Sequence, residues 1–305
     1  MSGRFLAIGE CMVELAPAAG KGLLKQGFAG DTFNSAWYAR QLLPDAWTVS
    51  YGTCVGTDTM SDKMLAFTAQ SGIDTGQIRR LDDRRLGLYL IEVTNGERSF
   101  SYWRDTSAAR HIADDAAWLT QLCTGNEMIL ISGITLAILP LEGRIRLCNA
   151  LNRARARGTR VAFDTNMRPQ LWRDADAMRA GIMMGASVAD IVLPSFDEEQ
   201  AAFGDATPAD TIARYRGQGA QIVVVKNGAE PVRLSAGEAG TQDIAVVPVA
   251  QIVDSTAAGD SFGATFLAAL LTNSSATEAA EAAAQVAARV ILAPGALVDL
   301  SKGKR

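Results

Sequence analysis

Asp254-Ser255-Thr256-Ala257-Ala258-Gly259-Asp260-Ser261-Phe262 follows a strand-like apolar run, 243–249, and opens a helical run that reaches residue 271. The small residues Ala257, Ala258 and Gly259 let backbone N–H groups approach an anion closely. The start of a helix adds partial positive charge at the same place. Together they form an anion hole suited to charge that builds on a phosphoryl group in transfer. Asp260 falls in the first helical turn, where a carboxylate faces both a phosphate chain and an incoming hydroxyl and can take the hydroxyl proton. A plainer reading stays open here, in which Ser255, Thr256 and Asp260 do no more than cap a helix.

Outward from this stretch, short apolar runs alternate with helical patterns. Strands are expected at 5–10, 47–55, 127–133, 159–164, 191–194, 221–226 and 243–249, and helices at 32–43, 59–72, 139–157, 175–187, 207–217, 259–271 and 276–293. Met128-Ile129-Leu130-Ile131 and Ile222-Val223-Val224-Val225 are apolar on both faces, as a parallel strand between two helix layers requires. The βαβ order predicts an α/β three-layer sandwich with a mostly parallel central sheet. Two segments break the rhythm. Residues 11–30 hold a short strand-like, glycine-containing stretch, and 85–104 read as a hairpin turning at Asn95-Gly96. Both are expected to form a small β lid over the C-terminal edge of the sheet.

Composition narrows the chemistry. The chain has 305 residues, 48% of them hydrophobic and 20% charged, which suits a large globular core. A net charge of −4, with no basic block beyond the tail Lys302 to Arg305, argues against nucleic acid and anionic membrane surfaces as partners. Cys11, Cys54, Cys123 and Cys148 are scattered without a CxxC pair. With no signal-peptide pattern at the start, this places the expected location in the reducing cytoplasm. No stretch is long and apolar enough to span a membrane. A single histidine, His111, rules out multi-histidine metal sites and leaves a Ser or Cys triad only one possible base. His111 reads chiefly as a structural residue, with a place beside the substrate as the alternative.

The string Thr256 to Phe262 resembles the C-terminal signature of the ribokinase-like (PfkB) carbohydrate kinases. Gly27-Phe28-Ala29-Gly30-Asp31-Thr32-Phe33-Asn34-Ser35-Ala36 resembles that family's N-terminal glycine motif. Ile8-Gly9-Glu10 and Gly56-Thr57-Asp58 fit as well, so the resemblance runs in order along 1–305. Within the family, Ile8 to Leu15, Gly30 to Asn34, Tyr102-Trp103-Arg104, Ser132-Gly133-Ile134 and Asp164 to Pro169 are most similar to the 2-keto-3-deoxygluconate kinase branch. Gly30-Asp31-Thr32 stands where ribokinases usually carry a Gly-Gly-Lys-Gly type pattern, which argues against plain ribose.

The resemblance implies ATP-dependent phosphorylation of a sugar, with Asp260 as catalytic base and Ala257, Ala258 and Gly259 as the anion hole. It implies Gly30, Asp31, Asn34, Tyr89, Tyr102, Arg104 and Arg168 at the sugar acid, with Asn166 and Arg168 also near the nucleotide phosphates. Elementary chemistry points the same way, because a carboxylate-bearing sugar is best met by a planar guanidinium. Arg104 ends the hairpin on the same face as Tyr102, and Arg168 lies just past strand 159–164, at the edge where α/β enzymes bind ligands. Lys226, Asn227 and Gly228 resemble the family's Lys-x-Gly loop against adenosine. Ser195 stands where many members have the Asn of Asn-x-x-Glu, so Glu198 is left to orient hydrated Mg2+. Asp254 is expected near a monovalent cation such as K+, and the resemblance implies a homo-oligomer joined through the lid sheets. Three alternatives remain on the residues alone: a kinase for fructose or another neutral sugar, one for 2-keto-3-deoxygalactonate, and a non-catalytic sugar-binding relative. No GxGxxG opens a helix after the first strand, so a dinucleotide dehydrogenase has no support.

Overall fold

The computed structural model describes all residues except 1, 21, 95–96, 238–239 and 302–305. The expected Asn95-Gly96 turn and the basic tail Lys302 to Arg305 lie outside the described residues. The chain runs β1 (Gly3–Ile8), β2 (Met12–Pro17), β3 (Leu24–Ala29), α1 (Asp31–Leu42), β4 (Trp47–Gly52), β5 (Cys54–Gly56), α2 (Thr59–Gln70), β6 (Arg79–Leu81), β7 (Leu88–Thr94) and β8 (Glu97–Trp103). It continues through α3 (Ala116–Leu122), β9 (Met128–Ser132), α4 (Gly133–Ala137), α5 (Leu141–Arg155), β10 (Arg160–Asp164), α6 (Ala175–Ala186), β11 (Ile191–Val192), α7 (Phe196–Phe203) and α8 (Pro208–Gly217). β12 (Ile222–Val225), β13 (Val232–Ala236), β14 (Thr241–Ile244), α9 (Ala258–Leu271) and α10 (Ala276–Val290) complete it.

The central sheet has the order β14-β13-β12-β11-β10-β9-β1-β4. It is parallel from β12 to β4, and β13 and β14 add an antiparallel edge. Its strands are apolar on both faces because each face meets a helix layer. Phe5, Ala7, Met128, Leu130 and Val224 pack with α1, α9 and α10 on one side. Leu6, Ile8, Ile129, Ile131, Val223 and Val225 pack with α5, α6 and α8 on the other. Each fully buried Leu, Ile, Val or Phe among them contributes about 1.5–3 kcal/mol.

A second sheet, β3-β2-β7-β8, forms the lid. Residues 11–30 and 85–104 therefore do combine, and the first segment holds two antiparallel strands rather than one short stretch. The β2–β7 pairing is parallel and joins the two segments.

Other expectations need correction. The run 47–55 splits, because β5 leaves the main sheet to pair with β6. The strand expected at 243–249 is β14, ending at Ile244, and it is held to β13 partly by Arg233–Asp243. Beyond it the chain is irregular and Val247 is exposed, so the apolar content of 245–249 does not mark a buried strand. The short helices α3, α4 and α7 fall below the length at which a 3.6-residue period becomes visible.

The helix ends follow their sequence chemistry. Asp58 and Asp115 cap α2 and α3 through two amide bonds each, and Ser275 and Glu278 form a capping box on α10. Gly133 sits where β9 passes into α4. A Cβ there would lie 2.0 Å from the Thr165 carbonyl oxygen at the end of β10, a backbone atom that cannot rotate away. Gly133→Ala is expected to lower stability by about 1–3 kcal/mol, read as a lower urea midpoint with unchanged slope. An unchanged midpoint would show that β9 and β10 separate freely at this end.

Candidate active site

The C-terminal ends of β1, β9, β10 and β12, the N-termini of α1 and α9, and the inner face of the lid enclose a cleft of about 760 Å3. That volume suits small-molecule ligands. Gly30 opens α1 and must be glycine, since a Cβ would fall 2.1 Å from the Glu10 carbonyl oxygen. The close approach brings Asp31 and Asn34, on the first turn of α1, to the cleft.

Opposite them, α9 begins at Ala258 after Ala257, which adopts a left-handed conformation with φ 60°. Ala257 makes no side-chain cap, so the capping reading of Ser255 and Thr256 fails. The Ala258 N–H turns back to the Ser255 carbonyl at 3.2 Å. The Gly259 and Asp260 amides precede the first intrahelical bond, from Ser261 to Ala257, and both residues line the cleft. Asn34 Nδ2 donates to Asp260 Oδ2 at 2.8 Å, which aims the carboxylate across the cleft.

Charges in the cleft are largely paired. Arg104 bonds Glu10, both buried. Arg168 Nη1 donates to Glu198 Oε1 at 2.7 Å, and the Met167 amide donates to Glu198 Oε2 at 2.9 Å. Lys226 Nζ meets Asp164 Oδ1 at 3.0 Å. Asp31 and Asp260 have no cationic partner among the described residues. Asp31 instead accepts from Asn166 Nδ2 at 2.9 Å, and Asn166 holds a strained φ of 28° to do so. Removal from water, followed by the repulsion of Asp31, pushes the Asp260 carboxyl well above its ordinary range, against the pull of Asn34. Removal from water likewise raises Asp31, opposed by bonds from Ser132, Thr32 and Asn166 and reinforced by Asp164. A carboxylate held this way is a better proton acceptor than a solvated one.

On the lid, Tyr89, Phe100 and Tyr102 line the cleft, and Tyr102 and Arg104 share that face as strand alternation requires. The Tyr89 hydroxyl donates to Glu14.

The pfkB family carbohydrate kinase model matches residues 3–302. The chain belongs to that family. This pfkB kinase is 40% identical to the 2-dehydro-3-deoxygluconokinase of Dickeya dadantii, with 96% of each chain covered. It is 38% identical to the enzyme of the same name from Escherichia coli K12, with 98% of each covered. The crystal structure of a ribokinase II candidate from E. coli, in complex with ATP and Mg2+, matches the fold with a TM-score of 0.83 at 23% identity, covering 97% of this chain and 94% of that one.

Most of the residues expected from sequence line this cleft of the pfkB kinase: Gly30, Asp31, Asn34, Tyr89, Tyr102, Arg104, Asn166, Arg168, Ser195, Glu198, Lys226, Asp254 and 257–260. Three placements differ from expectation. Lys226 points inward to Asp164, and its Nζ lies 3.4 Å from where a Cβ on Gly259 would be, beside the start of α9. Asn227 and Gly228 do not line the cleft, and Gly228 sits at φ 60°. Both carboxylate oxygens of Asp254 accept amide hydrogens, from Thr256 at 2.9 Å and Gly295 at 2.7 Å, which clamps the loop ahead of α9. Ser195 begins α7 without a side-chain cap. His111 lies outside the cleft, accepting from Arg84 Nε at 2.8 Å and facing Asp114 at 2.7 Å, a structural link. The four cysteines are buried and unpaired, and among the described residues no helix is long and apolar enough to cross a membrane.

Sequence reading missed Glu10, Asp164 and Phe100 as cleft residues. Glu10 and Asp164 lie inside the strings Ile8-Gly9-Glu10 and Asp164 to Pro169, and Phe100 lies two residues before Tyr102, on the same strand face.

The raised proton affinity of Asp260 carries a sign. Its protonated form is favoured by the fold, so its contribution is intact below about pH 4 and is lost as pH rises through the elevated value. Asp260→Asn, which keeps an acceptor for Asn34, is expected to melt higher than the unaltered protein at pH 7–8, with the gap closing near pH 4. Equal melting at both pH values would show that the carboxylate carries no burial penalty.

Proposed function

We propose that this kinase transfers the γ-phosphoryl group of ATP to the 6-hydroxyl of 2-keto-3-deoxygluconate, the compound also called 2-dehydro-3-deoxygluconate, giving the 6-phosphate and ADP. The observation that carries the reading is that Asp260, at the bare N-terminus of α9, shares one cleft with two arginines reached from opposite sides, Arg104 on the lid and Arg168 past β10. The names of the relatives reported above support the same substrate.

In this scheme the sugar carboxylate lies at the arginine end, and the far hydroxyl reaches Asp260. The hydroxyl oxygen attacks phosphorus while its proton passes to Asp260 Oδ, and the bond from phosphorus to the β,γ-bridging oxygen breaks. The Gly259 and Asp260 amides and the α9 dipole meet charge growing on the equatorial oxygens. Lys226 adds a cation at the same end, with Asp164 fixing its direction.

The cleft suits a donor that brings Mg2+ with it. Its acids outnumber its bases, so nucleotide charge needs neutralising, and among the described residues no cluster of three metal ligands exists. Mg2+ commonly uses one or two carboxylates together with phosphates and water. Glu198, which also accepts from the Met167 amide and Arg168, would orient a hydrated ion supplying charge neutralisation on the phosphates. Asp254, whose oxygens hold backbone amides, serves first as a loop clamp. A homo-oligomer joined through the lid fits the exposed Leu24 and Trp103 on the lid strands.

Steady-state rates with 2-keto-3-deoxygluconate, its galactonate epimer, fructose and ribose test the reading, and faster turnover of a neutral sugar would reject it. Asp260→Asn is expected to lower kcat on the order of 10²–10⁴-fold, and near-normal turnover would remove it as the base. Arg104→Ala is expected to raise KM for the sugar acid by at least about tenfold, the cost of a lost charge-assisted pair, with little change for fructose. An equal effect on both sugars would show that Arg104 only supports the lid.

A further inference from the structure

The inner face of the lid carries one feature that proton transfer and charge recognition leave unused. In the antiparallel register of β7 and β8, Tyr89 faces Tyr102 and Ile91 faces Phe100, so all four side chains share the cleft side. The three rings touch as a group. Phe100 lies 6.3 Å from Tyr89 and 6.3 Å from Tyr102, nearly parallel to the latter at 18°, and Tyr89 lies 5.9 Å from Tyr102. Two of these rings end in hydroxyls. Phe100 carries no polar atom, lines the cleft and is 42% exposed, so its ring is presented to whatever the cleft holds. The same cleft is lined by Glu10, Asp31, Asn34 and Arg104. The Arg104 guanidinium lies 5.8 Å from the Tyr102 ring centre, one ring removed from Phe100.

A 3-deoxy-2-keto sugar acid has one carbon with neither oxygen nor charge, the C3 methylene, two bonds from the carboxylate carbon. With the carboxylate at Arg104, that methylene falls beside the aromatic group. We propose that Phe100 is a specificity-determining residue that recognises the missing hydroxyl at C3, a deduction that rests on the sugar-acid reading above. Its ring packs on a CH2 and gives no partner to an OH on the same carbon. Such a group stripped of water without a hydrogen bond is disfavoured, though an apolar wall alone rejects an added hydroxyl only by about 10²-fold at most.

The test compares kcat/KM for 2-keto-3-deoxygluconate and 2-ketogluconate, which keeps the 3-hydroxyl, in the unaltered enzyme, Phe100→Leu and Phe100→Asn. The unaltered enzyme is expected to favour the deoxy acid by about 10–10²-fold, and Phe100→Leu to keep most of that ratio. Phe100→Asn, which can pair with a hydroxyl, is expected to narrow it about tenfold by losing the deoxy acid and gaining the other. A ratio within twofold of the unaltered value in Phe100→Asn overturns the proposal. So does a parallel rise of KM for both acids, which would mark Phe100 as a lid-packing residue only. If the unaltered enzyme phosphorylates neither acid but turns over fructose, the sugar-acid reading itself falls, and this proposal with it.

Discussion

Asn34 and Asp260 are 226 residues apart in the chain, yet their side chains meet in a 2.8 Å hydrogen bond. That bond exists because α1 and α9 lie side by side against the same face of the sheet, with Ser35, Ala36 and Ala39 on one and Ser261, Ala264 and Ala268 on the other buried between them. Small residues let the axes approach, and the approach brings two helix N-termini to one sheet edge. Each contributes partial positive charge and unpaired amides to the cleft. The acids Asp31 and Asp260 sit where that field favours them, while their burial and mutual repulsion oppose it. The site is therefore tense by construction, and its charge balance responds to what enters.

Three ion pairs keep this tension local. Glu10–Arg104 ties the end of β1 to the lid, Asp164–Lys226 ties β10 to β12, and Glu198–Arg168 ties α7 to the loop after β10. A buried pair gains little over apolar packing, but losing one partner strands the other. Their value is directional, because each holds a cation in the cleft at a fixed place. Just behind Glu198, Glu199 is buried, accepts from the Tyr215 hydroxyl at 2.9 Å and meets Arg214 at 3.0 Å. Burial, only partly offset by Arg214, pushes its carboxyl up to about 7. The support beneath the cleft is thus polar as well.

What could be read from the sequence was what lies close together along it. The strings 257–262 and 30–34 carry a helix start, small residues and a polar tip within one turn, and both landed in the cleft. The apolar strands 127–133 and 221–226 announced burial on both faces. Pairings across the chain were not legible. Nothing near Lys226 announces Asp164, 62 residues earlier, so the turn of its side chain toward the start of α9 could not be read. Arg104 read as an open guanidinium because Glu10, 94 residues away, is joined to it only by the topology that sets β1 beneath the lid. The antiparallel edge was only half legible, since β14 overlaps the expected strand 243–249 while β13, five residues long, carries too short a pattern to stand out.

The separation between frame and lid has a chemical consequence. In the proposed reaction the proton acceptor, the anion hole and the inward lysine all belong to the α/β frame, where helices and central strands fix them. The aromatic rings belong to a second sheet, which packs on the frame through Val13 and Phe28 in the core beside α1 and through Met12, Ala29, Tyr89 and Ile91 against Ala296. Groups that must be placed within fractions of an ångström sit on the stiffer part. Groups that only need to present a shape and a polarity sit on the second sheet. A change there can therefore alter which sugar is held in the proposed reaction while leaving Asp260 in place, because among the described residues its side chain is bonded by Asn34 from α1 and is carried on α9.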